Sequence, residues 1–331
     1  MSVGDEKAQN VVAQRQRGTL RSILVRYGFL LLIVGFLAFF AAMNPVFLQP
    51  TNLSNIVEGS AILLVVALAM TLIVATGGID LSVGIALDFG AAFAVVAMSE
   101  YGVDWWGAAL IGIGGGSLVG MLNAALVVGL KVSPFMATLG TFFIGSSVQR
   151  IFTGGGGPIS YRRMPQEFRD FAVGDIFGVP MEVIIASVIC VLYFIVLERS
   201  IIGRRLHALG MQRSAAIVAG LRANRLLIAS FIVAAMTCAV GGLIAAASIR
   251  MFTPLSGFSY LLDAIAAVFI GAALHPRGRP NVLGTLIAVL FLGVITNGLN
   301  LMGLNFNTKD ALSGIILVSV LALAIAQRKL R

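Results

Sequence analysis

Asp80, Gly84 and Asp88 recur at spacings of four within an otherwise apolar stretch. On a helix they share one face, carrying two carboxylates and a bare patch of backbone. Carboxylates in such a run could relay protons, hold a cation or line a watered path. Each use requires that protein, not lipid, surrounds them. A carboxylate near mid-bilayer costs at least about 2.5–3.5 kcal/mol on insertion scales, so it must be hydrated or partnered. Just upstream runs Ala75-Thr76-Gly77-Gly78-Ile79-Asp80-Leu81-Ser82-Val83-Gly84, a polar break between two apolar runs. Two readings of Asp80 compete. It caps the helix that follows, with Gly77, Gly78 and Ser82 forming the break, or it faces a path. Asp88 lies two turns deeper and is the better path candidate. Neutral polar groups recur in other apolar runs at Asn123, Thr138, Thr141, Ser146, Ser147, Gln149, Asn297 and Asn300, and Asp263 opens a later one. Neutral donors and acceptors suit an uncharged, hydroxyl-rich solute, and each also serves as an interhelical hydrogen bond. Asp88, Asn123, Thr138, Asp263 and Asn297 are the candidates for a translocation path.

No group with catalytic spacing stands out. There is no Ser/His/Asp set, no His/Cys cluster spaced for a metal and no Gly-x-x-x-x-Gly-Lys-Ser/Thr phosphate loop. His207 and His275 are each isolated from other metal ligands in sequence. The expectation is therefore a chain that is not an enzyme, holds no metal and binds no cofactor. If ATP drives it, the motor is another chain.

The elements that position these residues must be membrane helices. Of 331 residues 59% are hydrophobic and only 11% charged, where soluble domains carry about 25% charged residues; mean hydropathy is +0.99. Ten apolar spans can be drawn: 27–43, 55–76, 79–98, 105–130, 133–152, 181–198, 226–247, 259–274, 282–301 and 311–327. The first follows a polar, basic segment and lacks a cleavage site, so it reads as a retained span. Cys190 and Cys238 lie inside apolar runs as inert thiols.

The net charge of +9 raises nucleic acid as a partner, but its distribution points to membrane orientation instead. With the N-terminus in the cytoplasm, five segments lie inside: 1–26, Lys131, 199–225, 275–281 and the C-terminal tail. They hold 17 of the 23 basic residues. Both termini are therefore expected in the cytoplasm, with residues 27–327 as one transmembrane domain and 328–331 as a tail; eight spans would satisfy the same parity. Five spans on each side of the middle make two halves that enter from opposite faces, the arithmetic of an inverted repeat.

Three further features shape the reading. Gly112, Gly116 and Gly120 fall on one face of the fourth span, where small residues let two backbones approach. The external segment 153–180 starts with four glycines and carries Arg162, Arg163, Glu167, Arg169, Asp170 and Asp175; it is either a plain surface loop or a docking surface. The internal segment 199–225 is long and basic, with a short helix expected over Arg213–Ala219 between Gly210 and Gly220. It either lies on lipid headgroups or inserts into a groove of another protein.

Gly77-Gly78-Ile79-Asp80-Leu81-Ser82-Val83-Gly84 resembles the signature of the membrane permease subunits of bacterial ABC importers for ribose, xylose, arabinose, galactose and related solutes. Gly203-Arg204-Arg205-Leu206-His207-Ala208-Leu209-Gly210, followed by Ala215, Ala216 and Gly220, resembles that family's ATPase-coupling loop. Asp263-Ala264-Ile265-Ala266-Ala267-Val268-Phe269-Ile270-Gly271 and Asn297-Gly298-Leu299-Asn300-Leu301 resemble its C-terminal motifs. Likeness runs from about residue 45 to the end.

The resemblance implies an all-α polytopic fold of about ten helices in two inverted five-helix halves, similar to the vitamin B12 importer permease. It also implies a second permease subunit, homo- or heterodimeric, a cytoplasmic ATP-binding cassette ATPase that carries ATP and Mg, an extracytoplasmic solute-binding protein, and a place in the bacterial inner membrane. Gly203, Arg204, Arg205, Ala208, Gly210, Ala215, Ala216 and Gly220 are then the coupling residues. The turn Leu274-His275-Pro276-Arg277-Gly278-Arg279-Pro280-Asn281 departs from the family's Gly-Gly-x-Gly turn, and its two prolines stiffen it. A stand-alone transporter driven by protons or Na⁺ is the competing reading, favoured by inverted halves and broken spans, and opposed by the few ionisable residues inside the spans.

Overall fold

The computed structural model describes residues 31–304 and scattered helical positions from 308 to 322. The expected tails 1–26 and 328–331 lie outside the described residues, as does most of the span 311–327. Among the described residues six helical segments are long and apolar enough to cross a membrane: Pro50–Ala75, Trp105–Gly129, Met181–Arg199, Ala223–Ile249, Gly257–Leu274 and Val282–Leu301. The chain is thus a helical, polytopic membrane protein. Leu31–Met43 (α1) and Val83–Ser99 are apolar but shorter.

The chain divides into two compact units. One comprises Met1–Asn52 with Val294–Arg331. Here the Phe40 and Phe47 rings pack at a tilt with centres 5.5 Å apart, and Asn44 Nδ2 donates to Leu301 O at 3.1 Å. Asn52 and Asn297 exchange amide hydrogen bonds of 2.9 and 3.0 Å.

The other unit, Leu53–Gly293, is built around Ala61–Ala75 (α3), which follows α2 (Pro50–Gly59) after a break at Ser60. Ser60 Oγ donates back to Ile56 O at 2.7 Å, competing with the helical ladder. The α3 sequence AILLVVALAMTLIVA is apolar on every side, and such a helix is buried all round. Of the most apolar 18 residues of Pro50–Ala75 78% are buried, against 28% for those of Met181–Arg199, which places the first centrally and the second at the periphery. Val83–Ser99 (α4), Trp105–Ala124 (α5), Ala223–Ile249 (α11) and Gly257–Leu274 (α12) complete the packed centre, with α11 against α3, α4 and α5.

Small residues set the α4–α5–α11 spacing. A methyl group built on Gly116 would lie 2.5 Å from Ala239 Cβ and 2.8 Å from Ala86 O. Gly114, two residues away, has open space around it. Overpacking a tight seam costs about 1–3 kcal/mol. Gly116→Val is therefore expected to lower the melting temperature of the solubilised protein clearly, and Gly114→Val to leave it nearly unchanged. Equal melting of the two variants would show that the seam yields.

Pro134–Phe152 (α6) starts with Pro134 at its first position and Ser133 as its cap. The segment after α6 is ordered against the bundle. Ile159–Ser160 (β1) pairs antiparallel with Met251–Phe252 (β4), and Tyr161 N donates to Arg250 O at 2.9 Å. Gln166–Val173 (α7) buries Phe168 fully among Phe252, Met98 and Leu243, leaving Arg162, Arg163, Glu167 and Asp170 exposed. Asp175–Ile176 (β2) and Val179–Pro180 (β3) form a hairpin leading into Met181–Phe194 (α8). Both α5 and α8 end in a π turn, at Ala125–Gly129 and Ile195–Arg199. Ile201–Met211 (α9) and Arg213–Val218 (α10) then lead to α11, and Val282–Leu301 (α13) follows α12.

Candidate functional site

The break between α3 and α4 is a closed hydrogen-bonded knot. Gly77 has φ +87°, a conformation that side chains other than glycine rarely adopt, and it turns the chain out of α3. Gly78 lies against Pro134, at the start of α6. Asp80 Oδ1 accepts from Ser82 N at 2.7 Å and from Ser82 Oγ at 2.6 Å, tying the chain just ahead of α4. Ser82 Oγ in turn accepts from Asn123 Nδ2 at 2.7 Å. Thr138 Oγ1 accepts from Leu81 N at 3.1 Å. Four residues singled out in sequence therefore meet around one turn: Asp80 and Ser82 from the break ahead of α4, Asn123 from α5 and Thr138 from α6. All four are buried.

Asp88 is fully buried on α4 and lies outside that knot. Its Oδ1 accepts from Ser256 Oγ and from Gly257 N, both at 2.9 Å, so it grips the first residue of α12. Hydrogen-bond donors and the positive end of a helix are what a buried carboxylate needs. Nearby, Gln149 of α6 accepts from Leu255 N at 2.8 Å, holding a residue whose φ is +63°. Gly84 of α4 lies against Gly257: a methyl group on Gly84 would sit 2.5 Å from Gly257 O. The shared face expected for Asp80, Gly84 and Asp88 holds only for Gly84 and Asp88, which both face the start of α12; Asp80 lies in the turn before α4, where the glycine break has ended the helical periodicity. Gln149 is one of the in-span polar groups named from the sequence as an interhelical hydrogen bond; Ser256 and Gly257 are the partners that sequence reasoning did not assign. Ser256-Gly257 ahead of an apolar run is a helix-start signal that could have flagged them.

Asn297 is paired with Asn52 in the other unit, and Asp263 occupies an exposed position on α12. Neither joins the knot at Asp80.

The α9–α10 segment carries the remaining sequence candidates. Gly203 and Ala216 are buried, while Arg204, Arg205, Ala208, Ala215 and Gly220 are exposed. Ser200 caps α9, accepting from Gly203 N at 3.2 Å. Gly210 rests directly on the break: a methyl group on Gly77 would be 3.1 Å from Gly210 Cα, and one on Gly210 would meet Ala75 O. Met211, Ile217 and Val218 are exposed at 85%, 50% and 89%. So α9 has one end against the membrane break, and α10 presents an apolar surface.

A charged cluster anchors the same region. Arg279 donates to Glu198 Oε2 at 2.9 Å and to His275 Nε2 at 3.3 Å. Burial, followed by the Arg279 charge, pulls the His207 and His275 imidazoles below their ordinary value, so both are neutral near pH 7.

An apolar cavity of about 390 Å³ lies between α4, α5 and α6, with Gln149 and Tyr101 as its polar-tipped lining side chains. It offers a hydroxyl-rich solute few partners.

A sequence model of the family described as "Branched-chain amino acid transport system / permease component" matches residues 52–321. The ribose import permease protein RbsC of Bacillus subtilis (strain 168) is 33% identical over 316 residues, covering 95% of this chain and 98% of that protein. RbsC of Haemophilus influenzae is 31% identical, over 91% of this chain and 94% of that protein. The autoinducer 2 import system permease protein LsrD of Escherichia coli (strain K12) is 30% identical, over 89% and 92%. No solved structure matches significantly.

Proposed function

The chain belongs to the import permease family that contains the ribose and autoinducer 2 permeases, and from that premise we propose that it is the membrane-spanning subunit of an ATP-binding cassette importer. It moves a sugar or sugar-like solute delivered by an extracytoplasmic binding protein. A separate ATPase hydrolyses ATP, and this chain performs no chemistry of its own. It works with a second permease subunit in the bacterial inner membrane, with both termini and the α9–α10 segment in the cytoplasm. In this reading the ten spans form two inverted halves like those of the vitamin B12 importer permease. The charged, exposed face around α7 receives the binding protein.

The observation that carries the reading is the double contact of α9–α10. One end rests on the Gly77 break, and the other offers Met211, Ile217 and Val218 to a partner. A partner whose nucleotide states hold α10 differently would shift the break, and with it the Asp80–Ser82–Asn123–Thr138 knot. Asp88 acts through its grip on α12. Asp263, exposed on α12, is the proposed polar contact for the path, and Asn123 and Thr138 act on it through the knot.

The test is uptake in proteoliposomes containing this chain, its ATPase and its binding protein, with labelled ribose and autoinducer 2 as separate arms. ATP-dependent accumulation is expected. The double substitution Ala215→Asp/Ala216→Asp puts charge beside the α10 surface and is expected to abolish accumulation while the chain still inserts. Normal uptake by that variant would overturn the coupling role. Accumulation by the chain alone under an ion gradient would overturn the ATP-driven reading.

A further inference from the structure

Arg205 on α9, Arg222 just before α11 and Arg225 in its first turn line one cavity of about 610 Å³, together with Leu221 and Leu226. No acidic side chain lines it. Among the described residues none of the three arginines is paired with a carboxylate. Three guanidinium groups around one space repel one another unless an anion joins them, and their planar forks match phosphate oxygens. The positive end of α11, a 27-residue helix, adds to the attraction.

The same face of α11 continues as an apolar strip. Ile228, Val233 and Met236 follow Arg225 on that face and are 38%, 45% and 40% exposed. A soluble anion would use the cavity alone. A lipid would use both parts, its phosphate in the cavity and a chain along the strip. An acidic protein surface would satisfy the arginines without engaging the strip below them. We propose that Arg205, Arg222 and Arg225 form a headgroup site for an anionic phospholipid, whose acyl chain lies along Ile228, Val233 and Met236. The site depends only on the membrane placement of α11, not on the transport reading. A lipid bound there ties α9 to the start of α11.

The full chain is reconstituted in vesicles of phosphatidylglycerol and phosphatidylethanolamine in equal parts, extracted in mild detergent and weighed by native mass spectrometry. Phosphatidylglycerol is expected to remain bound in clear preference. Arg222→Gln/Arg225→Gln is expected to lower its retention roughly tenfold or more, and the matching pair of lysine substitutions to keep most of it. Arg205→Gln, on a different helix, is expected to lower it as well, and this reading stands even where the glutamine pair does not fold. Equal retention of the two lipids, or retention unchanged by the glutamine variants, overturns the proposal. Displacement of the lipid by inorganic phosphate overturns it in favour of a free-phosphate site. Loss of ATPase binding in the glutamine variants with lipid retention intact overturns it in favour of a protein dock.

Discussion

Gly210→Val is expected to uncouple the transporter. The ATPase still co-purifies with the variant, because the exposed residues of α10 are untouched, yet ATP-driven uptake in proteoliposomes falls roughly tenfold or more. The added carbons would meet backbone atoms of Ala75 and Gly77, not the tip of a flexible side chain. Backbone cannot rotate away, so α9 must lift from the break. Overpacking of this kind costs about 1–3 kcal/mol, and each 1.4 kcal/mol is tenfold in an equilibrium. Docking of α9 on Gly77 would then no longer be the favoured state. Uptake at the normal rate would show that the contact transmits nothing. Joint loss of uptake and ATPase binding would make the contact a matter of folding instead.

Asp88 separates two roles with two substitutions. Asp88→Leu removes the acceptor for Ser256 Oγ and Gly257 N, both held at 2.9 Å. A stranded buried donor costs about 1–3 kcal/mol, and the start of α12 is no longer fixed to α4. The expected result is a sharply lower melting temperature and no uptake. Asp88→Asn keeps one carbonyl oxygen in the same place, so melting stays close to that of the unaltered protein and most uptake survives. Stable protein with no uptake in the Asn variant would move Asp88 from anchoring α12 to the transport path itself.

Much of this was legible in the sequence because it is local. The Gly77–Gly84 break announces itself as polar residues between apolar runs, and the short helix bounded by Gly210 and Gly220 follows from its flanking glycines; it is α10, Arg213–Val218. Boundaries slipped where polar residues begin a helix. The second span reads as starting at 55, but α2 starts at Pro50, since Thr51, Asn52 and Ser54 dilute an apolar window without breaking a helix. The eighth reads as starting at 259, but α12 starts at Gly257. The π turns that end α5 and α8 have no periodicity signal. The long-range contacts were illegible for a different reason. Asp88 and Gly257 lie 169 residues apart, and nothing near either names the other. The same holds for Gly210 on Gly77, a contact recognised by two missing side chains.

The short β1–β4 ladder sets a mechanical asymmetry. Both α6 and α11 have one end near the Gly77 break or the α9–α10 segment, and the other end joined by this ladder. At about 1.5 Å per residue, the 19 residues of α6 separate those ends by about 28 Å. The ladder end is clasped by directional hydrogen bonds. At the Gly77 end Gly210 makes a bare backbone contact, which can slide without breaking a bond. Because Thr138 ties α6 to the break through Leu81 N, α9 is the element free to slip there, and α6 moves with the break. A displacement imposed at α9 that shifts the break would carry the near end of α6 with it, while the ladder holds the far ends of α6 and α11 together.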